Sequence, residues 1–216
     1  MTYKEKTINK WKNWLELLRK ELQILLLNRD VFEATQKIIK NNPAIQKPSA
    51  FYDLLGQGYA ALIVLGIRRQ VKIDDDSISL AKLLKEISQQ SNLITRQDYV
   101  KLYKGSVTSI FADETFDKFA GTGKNEIDSK LVAKDLKQLK NAARSCEHYA
   151  DRSLTHIDKR GSERIPTFAE VNKALKTLEK LIIRYELLFT AAGWIGLTPV
   201  IQYNWKSIFR EKWISK

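Results

Sequence analysis

The segment "IDSKLVAKDLKQLKNAARSCEHYADRSLTH", residues 127 to 156, decides the fold. Its apolar and small residues recur at steps of four and three, so at about 100° per residue they form one stripe along a helix. The members of the stripe are Val132, Leu136, Leu139, Ala143, Cys146, Ala150 and either Ser153 or Leu154. This spacing predicts a long helix, from Ile127 to about His156, that buries one side against the rest of the protein.

Cys146, the single cysteine of the chain, falls within that stripe. A thiol in apolar surroundings has a raised pKa and low reactivity, so we predict a structural role for Cys146 rather than a nucleophilic one. A single cysteine also excludes an internal disulfide framework and a cysteine-based zinc cluster.

The opposite side of the same predicted helix is polar and basic. It carries Lys137, Asn141, Arg144, His148, Arg152 and Thr155. Polar helix faces are most often simply solvated, and we interpret Lys137 and Asn141 in this way. Arg144 and His148 are retained as accessory site candidates, because imidazole and guanidinium can act on phosphate esters.

His156 ends this helix beside Asp158, Lys159 and Arg160. Imidazole exchanges protons near neutral pH, and a neighbouring guanidinium can stabilise the charge that develops on a phosphate under attack. These groups suit RNA cleavage without a metal ion. A catalytic role and a structural role both remain open for His156.

A second long helix follows the basic turn. In "PTFAE", Thr167 is a suitable N-cap, and Glu170 completes a capping box three residues later. The apolar spacing continues to Ala192, before Gly193, so the two long helices are predicted to form an antiparallel pair.

The rest of the chain also predicts helices. The patterns indicate helices at residues 3–27 and 31–40, a central buried helix from Ser49 through Val71, and short helices at Leu80–Gln89 and after Thr95, with Asp98 completing a capping box. Only 9 glycines and 4 prolines interrupt the 216 residues. We therefore predict one all-α domain over 1–216, a helical bundle with a 50–190 core, an N-terminal extension at 1–45 and a C-terminal docking helix at 198–216.

The formal net charge of +12 indicates a polyanionic partner. Nucleic acid is the leading class, and anionic lipid or an acidic protein remains an alternative. Trp205, Phe209 and Trp213 in the C-terminal segment could dock on the protein itself or bind a membrane surface.

The sequence has no signal-peptide pattern, and its longest apolar run, Ala60 to Gly66, is shorter than a membrane span requires. A cytoplasmic protein without a transmembrane segment is therefore expected. Neither a metal nor a cofactor is predicted. "DDDS" at 74–77 lacks the glycine and distal glutamate of an EF-hand, and "GTGK" at 121–124 lacks the first glycine of a phosphate loop and continues with Asn125.

The segments "YADRSLTHID", "PTFAEVNKALKTLEKLIIRYELL", "GIRRQV" and "SISLAKLLKEI" together resemble the HEPN superfamily (higher eukaryotes and prokaryotes nucleotide-binding). They look like HEPN-like proteins linked to abortive phage infection, over roughly residues 50 to 190. The resemblance implies an all-α fold, a homodimer that brings two motifs together, and metal-independent endoribonuclease activity on RNA in toxin or phage-defence systems. It also implies an associated defence or antitoxin protein.

The resemblance implies His156 and Arg152 as catalytic residues, with Asp158, His148 and Arg144 as accessory groups and Lys159, Arg160 and Arg164 holding nucleic acid. The family motif has an arginine, four to six residues, then histidine. Here Tyr149, Ala150 and Asp151 occupy those arginine positions, and Arg152 has only three intervening residues. Either Arg152 substitutes for the usual arginine, or the chain keeps the fold as a scaffold that binds nucleic acid or a partner protein without cleavage.

Overall fold

A computed structural model of the protein describes residues 1–155 and 164–213. Seven α-helices account for most of these residues. They are α1 (Tyr3–Lys40), α2 (Ala50–Val71), α3 (Leu80–Gln89), α4 (Arg96–Lys101), α5 (Ala112–Ala120), α6 (Ser129–Tyr149) and α7 (Phe168–Thr190). No strand occurs within the described ranges, where a single isolated bridge joins Thr95 and Glu126. The predicted all-α fold is confirmed.

The α6 helix lies at the centre of the bundle, against α2, α3 and α7, while α1 packs against α7 and α2. The predicted stripe of α6 faces the core: Leu139, Ala143, Cys146 and Ala150 are all fully buried. The hydroxyl of Ser145 donates to Glu170, and the hydroxyl of Tyr185 donates to Asp135, which ties α6 and α7 together in antiparallel order.

Local capping signals set the ends of these helices. Thr167 and Glu170 form the predicted capping box of α7, which satisfies backbone N–H groups of its first turn. The box predicted for α4 is incomplete: Thr95 caps the helix, but the carboxylate of Asp98 accepts from Lys4 and from the Thr95 hydroxyl instead of the N-cap backbone.

Two predictions about the N-terminal half are wrong. Residues 3–40 form one continuous helix rather than two, because neither glycine nor proline interrupts "NRD" at 28–30. The α2 helix is not buried throughout, since its buried residues begin only at Ile63. At Gly66 an added Cβ would collide with the Leu25 side chain of α1, so this glycine permits close contact between the helices, whereas Gly56 and Gly58 have open space.

By length and composition, α2 could cross a bilayer, and 22% of its most apolar window is buried. One such helix is weak evidence for a membrane span, because core helices pass the same test. Within the described part of 198–216, the predicted C-terminal docking helix is reduced to a 3-10 helix at Trp205–Arg210. Trp213 makes an edge-to-face contact with Phe51 of α2.

Candidate active site at the end of α6

The last turn of the long central helix has π-helical geometry. Residues Ala150–Leu154 continue α6 in this form, and the N–H of Thr155 donates to the carbonyl of Ala150, five residues earlier, at 2.9 Å. Such turns shift the register of side chains and occur frequently at functional sites. Arg152 lies within this turn and is half-buried.

An ion pair fixes the turn against α2. Arg68 Nε lies 2.5 Å from the carboxylate of Asp151, and these side chains are 21% and 39% exposed. Because α2 packs along both α6 and the π-helical turn, the pair joins the candidate site to the body of the protein. Arg68 is not among the site residues predicted from the sequence.

Four of the predicted site residues fall within the described ranges. Arg144 and His148 are exposed on α6, and the former makes no ion pair among the described residues. Arg164 forms a two-point contact with Glu170, at 2.9 and 2.8 Å. The predicted residues His156, Asp158, Lys159 and Arg160 lie outside the described residues, so their roles stay predictions.

The Arg164–Glu170 contact joins the approach to α7 with its first turn. Hydrogen bonds from Arg164, from the Thr167 backbone and from Ser145 hold the pKa of Glu170 well below its ordinary value. Glu170 therefore completes the capping box, binds Arg164 and accepts from α6 at once. The arginine that the sequence suggested for nucleic-acid binding has a structural partner here.

Cys146 lies on the side of α6 away from solvent. Its side chain is fully buried, and burial raises its pKa to about 12. The predicted structural position of this cysteine is confirmed, and a thiol in this state is a poor nucleophile at neutral pH.

An apolar cavity of about 670 Å³ opens beside the π-helical turn. The rings of Phe32 and Tyr59 stack there at 3.9 Å, and Phe168 and Leu154 form further parts of the wall. Burial raises the pKa of Tyr59 to about 12, and its hydroxyl has no hydrogen-bond partner among residues 1–155 and 164–213. This cavity was not predictable from the sequence, because its walls come from four separate helices, α1, α2, α6 and α7, and from the π-helical turn.

Six exposed lysines of α6 and α7 were also not predicted as site residues. They are Lys130, Lys134 and Lys140 on α6, and Lys173, Lys176 and Lys180 on α7. Extending the polar side of α6 back to its first turn would have found Lys130 and Lys134. No cluster that could hold a metal ion occurs among the described histidine, cysteine and acidic residues.

A family model of HEPN proteins, HEPN_AbiU2 (AbiU2), matches residues 8–204. The match covers most of the chain, including the first long helix, and is wider than the 50–190 resemblance seen in the sequence. This all-α chain therefore belongs to the AbiU2 family of the HEPN superfamily, which is associated with abortive infection. No curated protein and no solved structure matches it.

Proposed function

We propose that this protein is a metal-independent endoribonuclease of bacterial phage defence that acts in the cytoplasm as a homodimer. Membership of an abortive-infection HEPN family supports the biological setting. The π-helical turn at Ala150–Leu154, which Arg68 fixes through Asp151, is the observation that carries the choice of site. It holds Arg152 at the end of the central helix, immediately before the segment that contains His156.

The proposed reaction is an internal phosphoryl transfer in RNA. The 2′-oxygen forms a bond to phosphorus while the bond to the 5′-oxygen breaks, leaving a 2′,3′-cyclic phosphate and a 5′-hydroxyl. One imidazole accepts the 2′-hydroxyl proton and another group returns a proton to the leaving oxygen. His156 of each protomer supplies these proton transfers, and Arg152 stabilises the charge on the phosphate.

The test is cleavage of single-stranded RNA by the purified protein in EDTA. Wild-type protein should yield cyclic phosphate ends, and His156→Ala should reduce the rate by at least about a hundredfold. His148→Ala is the comparison variant, because it removes the exposed accessory imidazole eight residues earlier in the sequence, and it should reduce the rate much less than His156→Ala. Undiminished cleavage by His156→Ala would remove the site assignment.

The second candidate function is a non-catalytic HEPN scaffold that binds nucleic acid or an associated defence or antitoxin protein. The motif spacing favours it, because Arg152 stands one residue nearer His156 than the family pattern has its arginine. This alternative predicts RNA binding that weakens with salt but no cleavage by the wild-type protein. Turnover of any RNA substrate that depends on His156 would exclude it.

A further inference from the structure

The exposed side of α6 carries five cations, Lys130, Lys134, Lys137, Lys140 and Arg144, which we call the α6 basic face. At about 100° per residue, four of them lie within an arc of roughly 80°, and Lys140 lies about 40° beyond it. The face is about 21 Å long, at 1.5 Å per residue. Exposed His148 continues the same line toward the π-helical turn.

None of the five cations forms an ion pair within the described parts of the chain. The helix has only two acidic residues. Asp135 points toward α7, where it lies 3.1 Å from Arg184 and accepts from Tyr185, and Glu147 is half-buried at the border of the face. The positive charge of the face is therefore not neutralised by the described residues around it.

The neighbouring helix extends this surface. Lys173, Lys176 and Lys180 are exposed on one side of α7, where they line a shallow groove. Because the α6–α7 contacts join Ser145 to Glu170 and Asp135 to Arg184, these lysines lie level with the middle of α6.

The acidic residues of α7 have other partners. Glu170 binds Arg164, Glu179 accepts from the Leu197 backbone, and Glu186 pairs with Arg19. The three lysines of α7 form no ion pair with a described residue, so they add three charges to the five on α6.

The composition of the surface restricts what can bind it. The exposed residues of α6 include no apolar side chain larger than Ala133, so this face has nothing to insert into a lipid bilayer. It also lacks the aromatic or aliphatic anchors that dominate protein interfaces. Two copies meeting through it would place like charges together. A phosphodiester backbone needs none of these anchors, because its binding is dominated by cation–phosphate contacts and counterion release.

We propose that the α6 basic face, extended by the three α7 lysines, binds the sugar-phosphate backbone of RNA and guides the strand to the end of α6. The choice of RNA rests on the proposed function; the binding surface rests on the geometry above. About 21 Å spans roughly six nucleotides at a rise of 3.4 Å per strand. The cations contact phosphate groups and not base edges, so the affinity should not depend on the nucleotide sequence of the RNA.

The test compares two triple variants of the full-length chain, each built on His156→Ala so that RNA stays intact during the measurement. The face variant is Lys134→Gln, Lys137→Gln, Lys140→Gln. The control variant is Lys37→Gln, Lys40→Gln, Lys47→Gln, which removes the same charge from exposed lysines that make no ion pair in the described structure. Binding of a fluorescent 20-nucleotide RNA is measured by anisotropy at several salt concentrations.

The face variant should bind at least about tenfold more weakly, and the slope of log affinity against log salt should fall by roughly 2, from three lost contacts at about 0.7 each. The control variant should change both quantities much less. Replacing the same three face lysines by arginine should keep the affinity, since it keeps the charge. Unchanged thermal melting of every variant excludes an effect of misfolding.

Equal losses in both triple variants, or no loss in either, would overturn the proposal. So would weakened binding to anionic phospholipid vesicles with RNA binding unchanged. If the wild-type protein binds RNA through the face but never cleaves it, the proposed ribonuclease activity is wrong and the binding surface stands. If the face variant with His156 restored cleaves RNA with an unchanged KM, the ribonuclease activity stands and the binding surface is wrong.

Discussion

Three cations of α1 and the five of the α6 basic face differ in their surroundings, although both helices are rich in lysine. On α1, Lys4 pairs with Asp98, Lys10 with Glu86 and Arg19 with Glu186, all of which lie on other helices. On the α6 basic face none of the five cations has such a partner among the described residues. The first group links helices together, and the second faces outward. Of the net charge of +12, the part on the α6 basic face is therefore more accessible to a polyanion than the part carried by the paired cations of α1.

The largest expected effect tests the orientation of α6. Burial raises the pKa of Cys146 from 9.0 to about 12, so its thiolate fraction at neutral pH falls by roughly a thousandfold. In the Cys146→Ala background, Lys137→Cys should react with a thiol reagent at the rate of an exposed cysteine. The native Cys146 should react slower by about that factor, measured under native conditions. Comparable reaction rates at Lys137→Cys and at native Cys146 would mean that the basic face is not the exposed side of α6.

Removing a paired cation should destabilise the fold, and removing an unpaired one should not. Arg19→Met leaves the carboxylate of Glu186, which is only 8% exposed, without its partner, so the free energy of unfolding should fall by about 3 kcal/mol. Arg144→Met on α6 should change it by about 0.5 kcal/mol or less. Urea unfolding measures both.

The double variant Arg19→Met, Glu186→Leu supplies the control, because it removes both charges and should recover most of the lost stability. Equal effects of Arg19→Met and Arg144→Met would break the distinction between the two helices.

A smaller effect is expected where α6 meets the start of α7. Glu170→Gln weakens the bonds to Arg164 and Ser145 and the capping box, so it should cost about 1 kcal/mol at neutral pH. The pKa of Glu170 is lowered in the folded protein, so its stabilisation is present above the ordinary pKa of 4.5 and is lost as pH falls through the folded value. Urea unfolding of both proteins from pH 7 to 3 should show the difference shrinking only in acid. A constant difference would mean that charge is not its cause.

The smallest effect belongs to an exposed pair on α1. Lys4 and Asp98 are 41% and 43% exposed, so solvent screens their attraction, and Lys4→Gln should cost about 0.5 kcal/mol or less. That loss should disappear in 1 M salt, whereas the loss from Arg19→Met should persist. Thermal melting at two salt concentrations checks both. A large stability loss for Lys4→Gln that does not depend on salt would show that solvent exposure does not determine how much each ion pair contributes to stability.

Local features of the fold were predictable from the sequence. The capping box of Thr167 and Glu170 and the buried stripe through Leu139 and Cys146 follow from spacing within a few turns, and the structure has both. The single long α1 was missed because a polar stretch at 28–30 resembles a break, although nothing in it stops a helix. The exposure of the first part of α2 was missed because apolar composition does not say which neighbours will cover it.

The candidate site likewise has features that were predictable from the sequence and features that were not. Exposure of Arg144 and His148 follows from the helical wheel, and the structure agrees. The π-helical turn and the Arg68–Asp151 pair were not predictable, since the partners are 83 residues apart and the apolar spacing continues smoothly through the turn.

The sequence by itself determined the long helices α6 and α7, the side of α6 that is buried and the total charge, because these depend on residue type and on spacing along one helix. Only the tertiary structure decided which cations are neutralised. An ion pair needs an acidic side chain within a few ångströms, and on α1 these acids come from α3, α4 and α7. The outward side of α6 meets no such helix among the described residues, so its lysines remain available for a phosphate backbone.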